Sequence, residues 1–229
     1  MPTDLQAIAD PRLILLAWAA GLGVVAGSIS LARIVGPGFT WLTGGTSALI
    51  SLPGALADGA WLARIGLLAV LVGVVWAGNR PFAGVCLLAG GVALLGEAAL
   101  FGGLISAVTA TMALGGVSGE MMLGHWYLVD PRLPRSALRN LAIVGIAGLV
   151  AEAALQISLG IGFDGGALGF WVLLITSIVL MGAVIAAIRY PAYSGVMAAT
   201  GLSYLALLTT LGAVFVGRAI AAGLGPFAF

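Results

Sequence analysis

The chain has 229 residues, of which 62% are hydrophobic and 7% charged, and its mean hydropathy is +1.19. A soluble globular domain carries roughly 25% charged residues, so this composition excludes a soluble enzyme, a nucleic-acid-binding domain and a disordered chain. A formal charge of +1 offers no basic patch for a polyanion, and the single cysteine, Cys86, allows no internal disulfide and no multi-thiolate metal site.

A bilayer core takes about 20 apolar residues per helix, and proline marks helix ends because it removes a backbone donor. The nine prolines therefore divide the chain. A first span fits near 12–35, between Pro11 and Pro37. Residues 38–57 carry Thr40, Thr43, Thr46, Ser47 and Ser51 with Gly44, Gly45 and Pro53, so this segment reads as an interfacial or re-entrant helix as readily as a span. A second span lies near 59–78, closed by Asn79-Arg80-Pro81. The proline-free stretch from Phe82 to Val129 is too long for one helix and folds at Gly102-Gly103 into spans near 82–101 and 104–128. Past the polar 130–135 linker come spans near 136–160, 168–188 and 193–217, broken by the glycines of 160–166 and by Arg189-Tyr190-Pro191. The fold class is all-α: a single polytopic integral membrane helical bundle of seven spans, or eight if 38–57 crosses. No internal repeat is evident, so symmetry gives no support to an inverted-repeat transporter.

All nine basic residues are arginine. With no lysine there is no amine for a retinal Schiff base. Arg80, Arg132, Arg135, Arg139 and Arg189 share one side of the predicted topology, and Arg64 and Arg218 the other. The arginine bias predicts a cytoplasmic 130–139 loop, an external C-terminus, and residence in a prokaryotic plasma membrane. The N-terminus reads as a retained first helix rather than a signal peptide.

Five aspartates, Asp4, Asp10, Asp58, Asp130 and Asp164, fall at termini or loops, whereas Glu97, Glu120 and Glu152 fall within predicted spans. An ionisable residue at a helix centre costs roughly 2.5–3.5 kcal/mol if it faces lipid. The three glutamates are therefore expected to face the bundle interior and to carry function. Depth along the helices predicts that Glu97 and Glu152 share a proton or cation near one end, with Glu120 about 24 Å in from that end. Helical spacing places each among small residues. Thr109, Gly116, Glu120 and Tyr127 form one stripe, Cys86, Gly90, Ala93 and Glu97 a second, and Gly145, Gly148, Glu152 and Gln156 a third. The same pattern suits close helix packing through small residues.

The densest polar cluster runs from Ser118 to Arg132 and holds His125, the only histidine. His125 lies about 140° around the helix from Glu120, so the two do not pair on one face, and their spacing is not that of a metal-binding helix. Trp126 and Tyr127 suit an aromatic belt. They also suit a headgroup site for a quinone or lipid, with His125 or Tyr127 bonding an oxygen beside Arg132 or Arg135. Bis-histidine haem is impossible in one chain, which leaves a His/Met pair or a haem or quinone shared with a partner subunit. The hydroxyls Thr200, Ser203, Tyr204, Thr209 and Thr210 read as packing groups, the methionines as gap-fillers, and Arg64 and Arg218 as snorkelling residues at helix ends.

The favoured reading is a small proton- or cation-coupled permease using Glu97, Glu120 and Glu152, with Tyr127 and His125 as further binding candidates. The alternatives are a quinone-interacting membrane-anchor subunit of a redox complex and a scaffold without chemistry. Expected partners are the bilayer and membrane or redox subunits, with no nucleic acid, no resident cofactor and no metal.

Overall fold

The computed structural model describes residues 9–163 and 165–223. Asp4, Asp164, Pro2 and Pro226 lie outside the described residues. The described chain is helical, with no strand: α1 (Pro11–Leu31), α2 (Pro37–Ala55), α3 (Trp61–Val75), α4 (Arg80–Gly102), α5 (Leu104–Val129), α6 (Arg135–Ser158), α7 (Leu168–Arg189) and α8 (Tyr193–Ala221). The punctuation is local chemistry. Asp10 caps α1 by accepting the Arg12 N–H at 2.9 Å, with Pro11 in the first turn. Gly103, at φ +84°, turns α4 into α5 in a conformation that disfavours any side chain.

Helices α1 and α4 through α8 are each long and apolar enough to cross a membrane, so the chain has the architecture of an integral membrane protein. The burial pattern is that of a bundle in lipid. Leu49, Leu68, Val92, Ile105, Val179 and Leu208 point outward, while Glu97, Glu120, Glu152, Arg218 and many serines and threonines are buried. Segment 59–78 contracts to the 15 residues of α3, shorter than a full crossing needs. Segment 38–57 is helical but is not among the six helices long and apolar enough to cross. It forms α2, with Pro53 inside the last turn, and it lies antiparallel along α1. The Ser30 and Thr40 hydroxyls meet at 2.7 Å near one end, Ser47 donates to the Ala19 carbonyl at 2.7 Å midway, and Gly54 abuts Leu16 near the other end.

Two rings of four helices result. In the first, α1 packs on α2 and α4, and α3 joins α2 to α4; in the second, α5 packs on α6 and α8, and α7 joins α6 to α8. The rings meet where α1 crosses α5. There a Cβ added to Gly21 would lie 2.5 Å from the Gly115 Cα, and one added to Gly115 would lie equally close to the Gly21 Cα. Thr111 donates to the Ala17 carbonyl at 3.0 Å one turn away, and the Trp18 indole donates to Ser118 Oγ at 3.1 Å. Ala17 with Thr111 and Gly21 with Gly115 share one register, which makes α1 and α5 parallel. The absence of any repeat in the sequence thus conceals two units of matching helix adjacency, related in the same rather than the inverted sense.

Backbone-to-backbone contact leaves no room for a side chain at this crossing. Gly21→Leu should separate the rings and destabilise the protein by at least about 1–3 kcal/mol, the usual cost of overpacking. Gly201→Leu is the control, because nothing lies within 4 Å of a Cβ there. Thermal unfolding in detergent should fall for the first and hold for the second.

Candidate functional site

Helix α5 carries the polar interior. Thr109, Gly116, Glu120 and Tyr127 are all buried, as one stripe of the helix requires, and so are Gly145, Gly148, Glu152 and Gln156 of α6. A Cβ at Gly116 or Gly148 would collide with α6 or α5 backbone respectively, so these two helices touch through glycine. That closeness brings Glu152 against Thr109, whose hydroxyl donates to Oε2 at 2.6 Å.

Arg218 completes this cluster. Its guanidinium grips Glu152 in a fork, Nε to Oε1 at 2.8 Å and Nη2 to Oε2 at 2.9 Å, and also donates to the Ser106 carbonyl at 2.8 Å and to the Ser106 hydroxyl. Gln156 donates to Glu152 Oε1 at 2.9 Å. The expectation of a snorkelling Arg218 is therefore overturned. Helix α8 continues past residue 217 to Ala221, and the arginine is 2% exposed inside it. An ion pair in a low-dielectric interior survives only with good geometry and further hydrogen bonds, and both are present. Arg64, by contrast, is exposed and holds the α2–α3 connection through the Ala55 and Ala57 carbonyls at 3.1 and 3.0 Å.

With both oxygens engaged by Arg218, Glu152 shares nothing with Glu97. Glu97 belongs to the first ring. It is 2% exposed, and its Oε2 accepts the Ala63 N–H of the first turn of α3 at 3.2 Å. It also lines a cavity of about 190 Å³ together with Asp10, Arg12, Leu13, Leu16, Asp58 and Phe101 among others.

Glu120 differs from both. It is fully buried, and neither carboxyl oxygen has a hydrogen-bond partner of ordinary geometry among the described residues. Ser203 of α8 stands beside it, but its hydroxyl donates to the Thr200 carbonyl at 2.8 Å. Thr200 itself bonds Val196 one turn back. A Cβ at Gly124, one turn along α5, would lie 2.8 Å from the Thr200 hydroxyl and 3.7 Å from Glu120 Oε1, so glycine lets Thr200 pack here. Eleven residues separate Thr109 from Glu120, about 16 Å of rise with about 20° of rotation, so the unpartnered carboxyl and the ion pair occupy one face of α5.

The remaining candidates do not join these carboxyls. His125 is exposed, its Nδ1 3.5 Å from the Tyr204 hydroxyl. The Tyr127 hydroxyl accepts from Arg135 Nε at 3.4 Å, and the same guanidinium binds the carbonyls of Ile188, Tyr190 and Pro191. Arg132 pairs with its neighbour Asp130 at 3.0 Å. No group of three or more His, Cys, Asp or Glu among the described residues is placed to hold a metal ion. Comparison with known proteins returns no match: no family model fits the chain, and no curated protein or solved structure is similar to it.

Removing one partner of a buried pair leaves an uncompensated charge, typically at a cost of about 3–5 kcal/mol. Arg218→Met should lower the unfolding temperature sharply, and the double variant Arg218→Met/Glu152→Gln should recover much of the loss. Thermal unfolding of the two proteins side by side checks both halves of this expectation.

Proposed function

We propose that the protein is a small proton- or cation-coupled permease in which Glu120 takes up and releases the coupling ion. The observation that carries this reading is the carboxyl itself, wholly enclosed and with neither oxygen in a hydrogen bond of ordinary geometry among the described residues. A charge left so would be costly in a membrane interior, whereas a protonated or cation-bound carboxyl would not. The group therefore suits binding and release of a positive ion during a change of access. The two-ring architecture supports the same reading. Repeats related by an axis along the membrane normal are a recurrent transporter plan, and rocking of one unit against the other alternates access to a site near the midplane. Glu120 lies about 24 Å from one end of α5 and about 14 Å from the other, within the second ring and on the helix that joins it to the first. The fixed charges of Glu152 and Arg218 would stay paired and brace the second ring. A quinone-anchor role finds less support, since Tyr127 and Arg135 are engaged with each other and with backbone carbonyls.

Orientation belongs to the same proposal. Alternating helix directions collect Arg33, Arg80, Arg132, Arg135, Arg139 and Arg189 at one end of the bundle, and the arginine-rich end would face the cytoplasm of a prokaryotic cell.

Proteoliposomes carrying the purified protein, an internal pH dye and an imposed potential test the proposal. Proton entry above that of protein-free vesicles is expected, falling at least about tenfold in Glu120→Gln while thermal stability holds. Infrared difference spectra across a pH step should show a carboxylic C=O band that the same substitution removes. Full flux in Glu120→Gln, or a wild-type protein with neither flux nor band, would overturn it.

A further inference from the structure

The cavity beside Glu97 has no part in the proposal for Glu120, and its chemistry is different. It lies at the end of the first ring where α1 begins, α2 meets α3 and α4 ends. Its walls are mostly apolar, from Leu13, Leu16, Phe101 and the small residues of the α2–α3 connection. Three carboxyl groups line it, Asp10, Asp58 and Glu97, against one guanidinium, Arg12. Arg12 is already spent: its Nε and Nη2 donate to both Asp10 oxygens at 2.8–3.1 Å. That leaves Asp58, exposed at the mouth, and Glu97, almost wholly buried in the wall.

Glu97 is half used. Oε2 caps α3 through Ala63, while Oε1 has no hydrogen bond among the described residues. A buried carboxylate with one free oxygen facing an open space is an acceptor in want of a cationic donor. The volume of about 190 Å³ exceeds what a bare metal ion needs and equals the bulk share of about six waters. A monatomic cation would need several more oxygen ligands than these side chains offer.

We propose that this cavity binds a small organic cation through a primary ammonium group, which donates to Glu97 Oε1 while its apolar part lies against Leu13, Leu16 and Phe101. Asp58 attracts the cation at the entrance. The ammonium group can come from a free amine or from an ethanolamine lipid headgroup.

Benzylammonium and its neutral counterpart benzyl alcohol are the probes, titrated by calorimetry into the full-length protein in detergent. Binding of the amine and at least about tenfold weaker binding of the alcohol are expected. Glu97→Gln keeps an oxygen for the Ala63 N–H, so it should hold its unfolding temperature and still lose amine binding by at least about tenfold. Asp58→Asn should weaken it only a few-fold. Nanodiscs separate the sources: competition by phosphatidylethanolamine but not phosphatidylcholine assigns the site to a headgroup, and no competition by either assigns it to a free amine. Equal binding of amine and alcohol, no amine binding, or undiminished binding in a folded Glu97→Gln protein would overturn the inference.

Discussion

Helix α5 is in contact with α1, α4, α6 and α8, and glycine is what allows it. Gly115 faces Gly21 of α1, Gly116 faces Gly145 of α6, Gly119 takes Val25 of α1, and Gly124 takes Thr200 of α8. In lipid no hydrophobic force presses helices together, so association rests on close van der Waals contact and interhelical hydrogen bonds. Small residues shorten the interaxial distance and multiply those contacts. The contact between Thr109 of α5 and Glu152 of α6 depends on this approach. Were α6 held off by a single side chain at Gly116 or Gly148, Thr109 could not reach Glu152, and the carboxylate would lose its neutral ligand on α5.

The three glutamates answer one problem in three ways. Glu152 is balanced by a forked guanidinium and neutral donors, so its charge is compensated on every side. Glu97 gives one oxygen to the positive end of α3 and turns the other toward open space. Glu120 has neither arrangement. A structural acid is normally satisfied, because an unsatisfied one costs stability without return. A completed ion pair and a carboxyl with no hydrogen-bond partner of ordinary geometry among the described residues thus share one face of α5.

Much of the fold was legible because proline and glycine act locally. The ends of α4, α5, α6 and α7 fall within about two residues of the punctuation that predicts them. The hydroxyls of 38–57 left its crossing open, and α2 is not among the helices long and apolar enough to cross; Thr40, Thr43, Ser47 and Ser51 are buried, so they lower the mean hydropathy from the inner face of the helix. The burial of Glu97, Glu120 and Glu152 was legible from cost alone. Their separation was not. Arg218 finds Glu152 across 66 residues, and nothing in either local pattern names the other. Ending α8 four residues short, at 217 rather than Ala221, is enough to turn a buried partner into a snorkelling one. The two rings were hidden for a related reason. Matching adjacency requires small residues at crossings, not similar residues along the chain.

The pairing of Arg218 also shapes the outside of the molecule. At the end of the bundle where α8 finishes, the basic residues are Arg12, Arg64 and Arg218. Arg218 is withdrawn into the interior and Arg12 is matched by Asp10 at 2.8 Å, which leaves Arg64, beside the exposed Asp58 and the cavity of Glu97. The opposite end keeps six arginines against Asp130, whose carboxyl the Arg132 side-chain hydrogen bond holds below its ordinary pKa. The sequence reading sets five arginines against two and the eight helices set six against three; burial and pairing leave the second end close to neutral. The internal ion pair that steadies α5, α6 and α8 thus sharpens the difference in exposed charge between the two ends of the folded bundle.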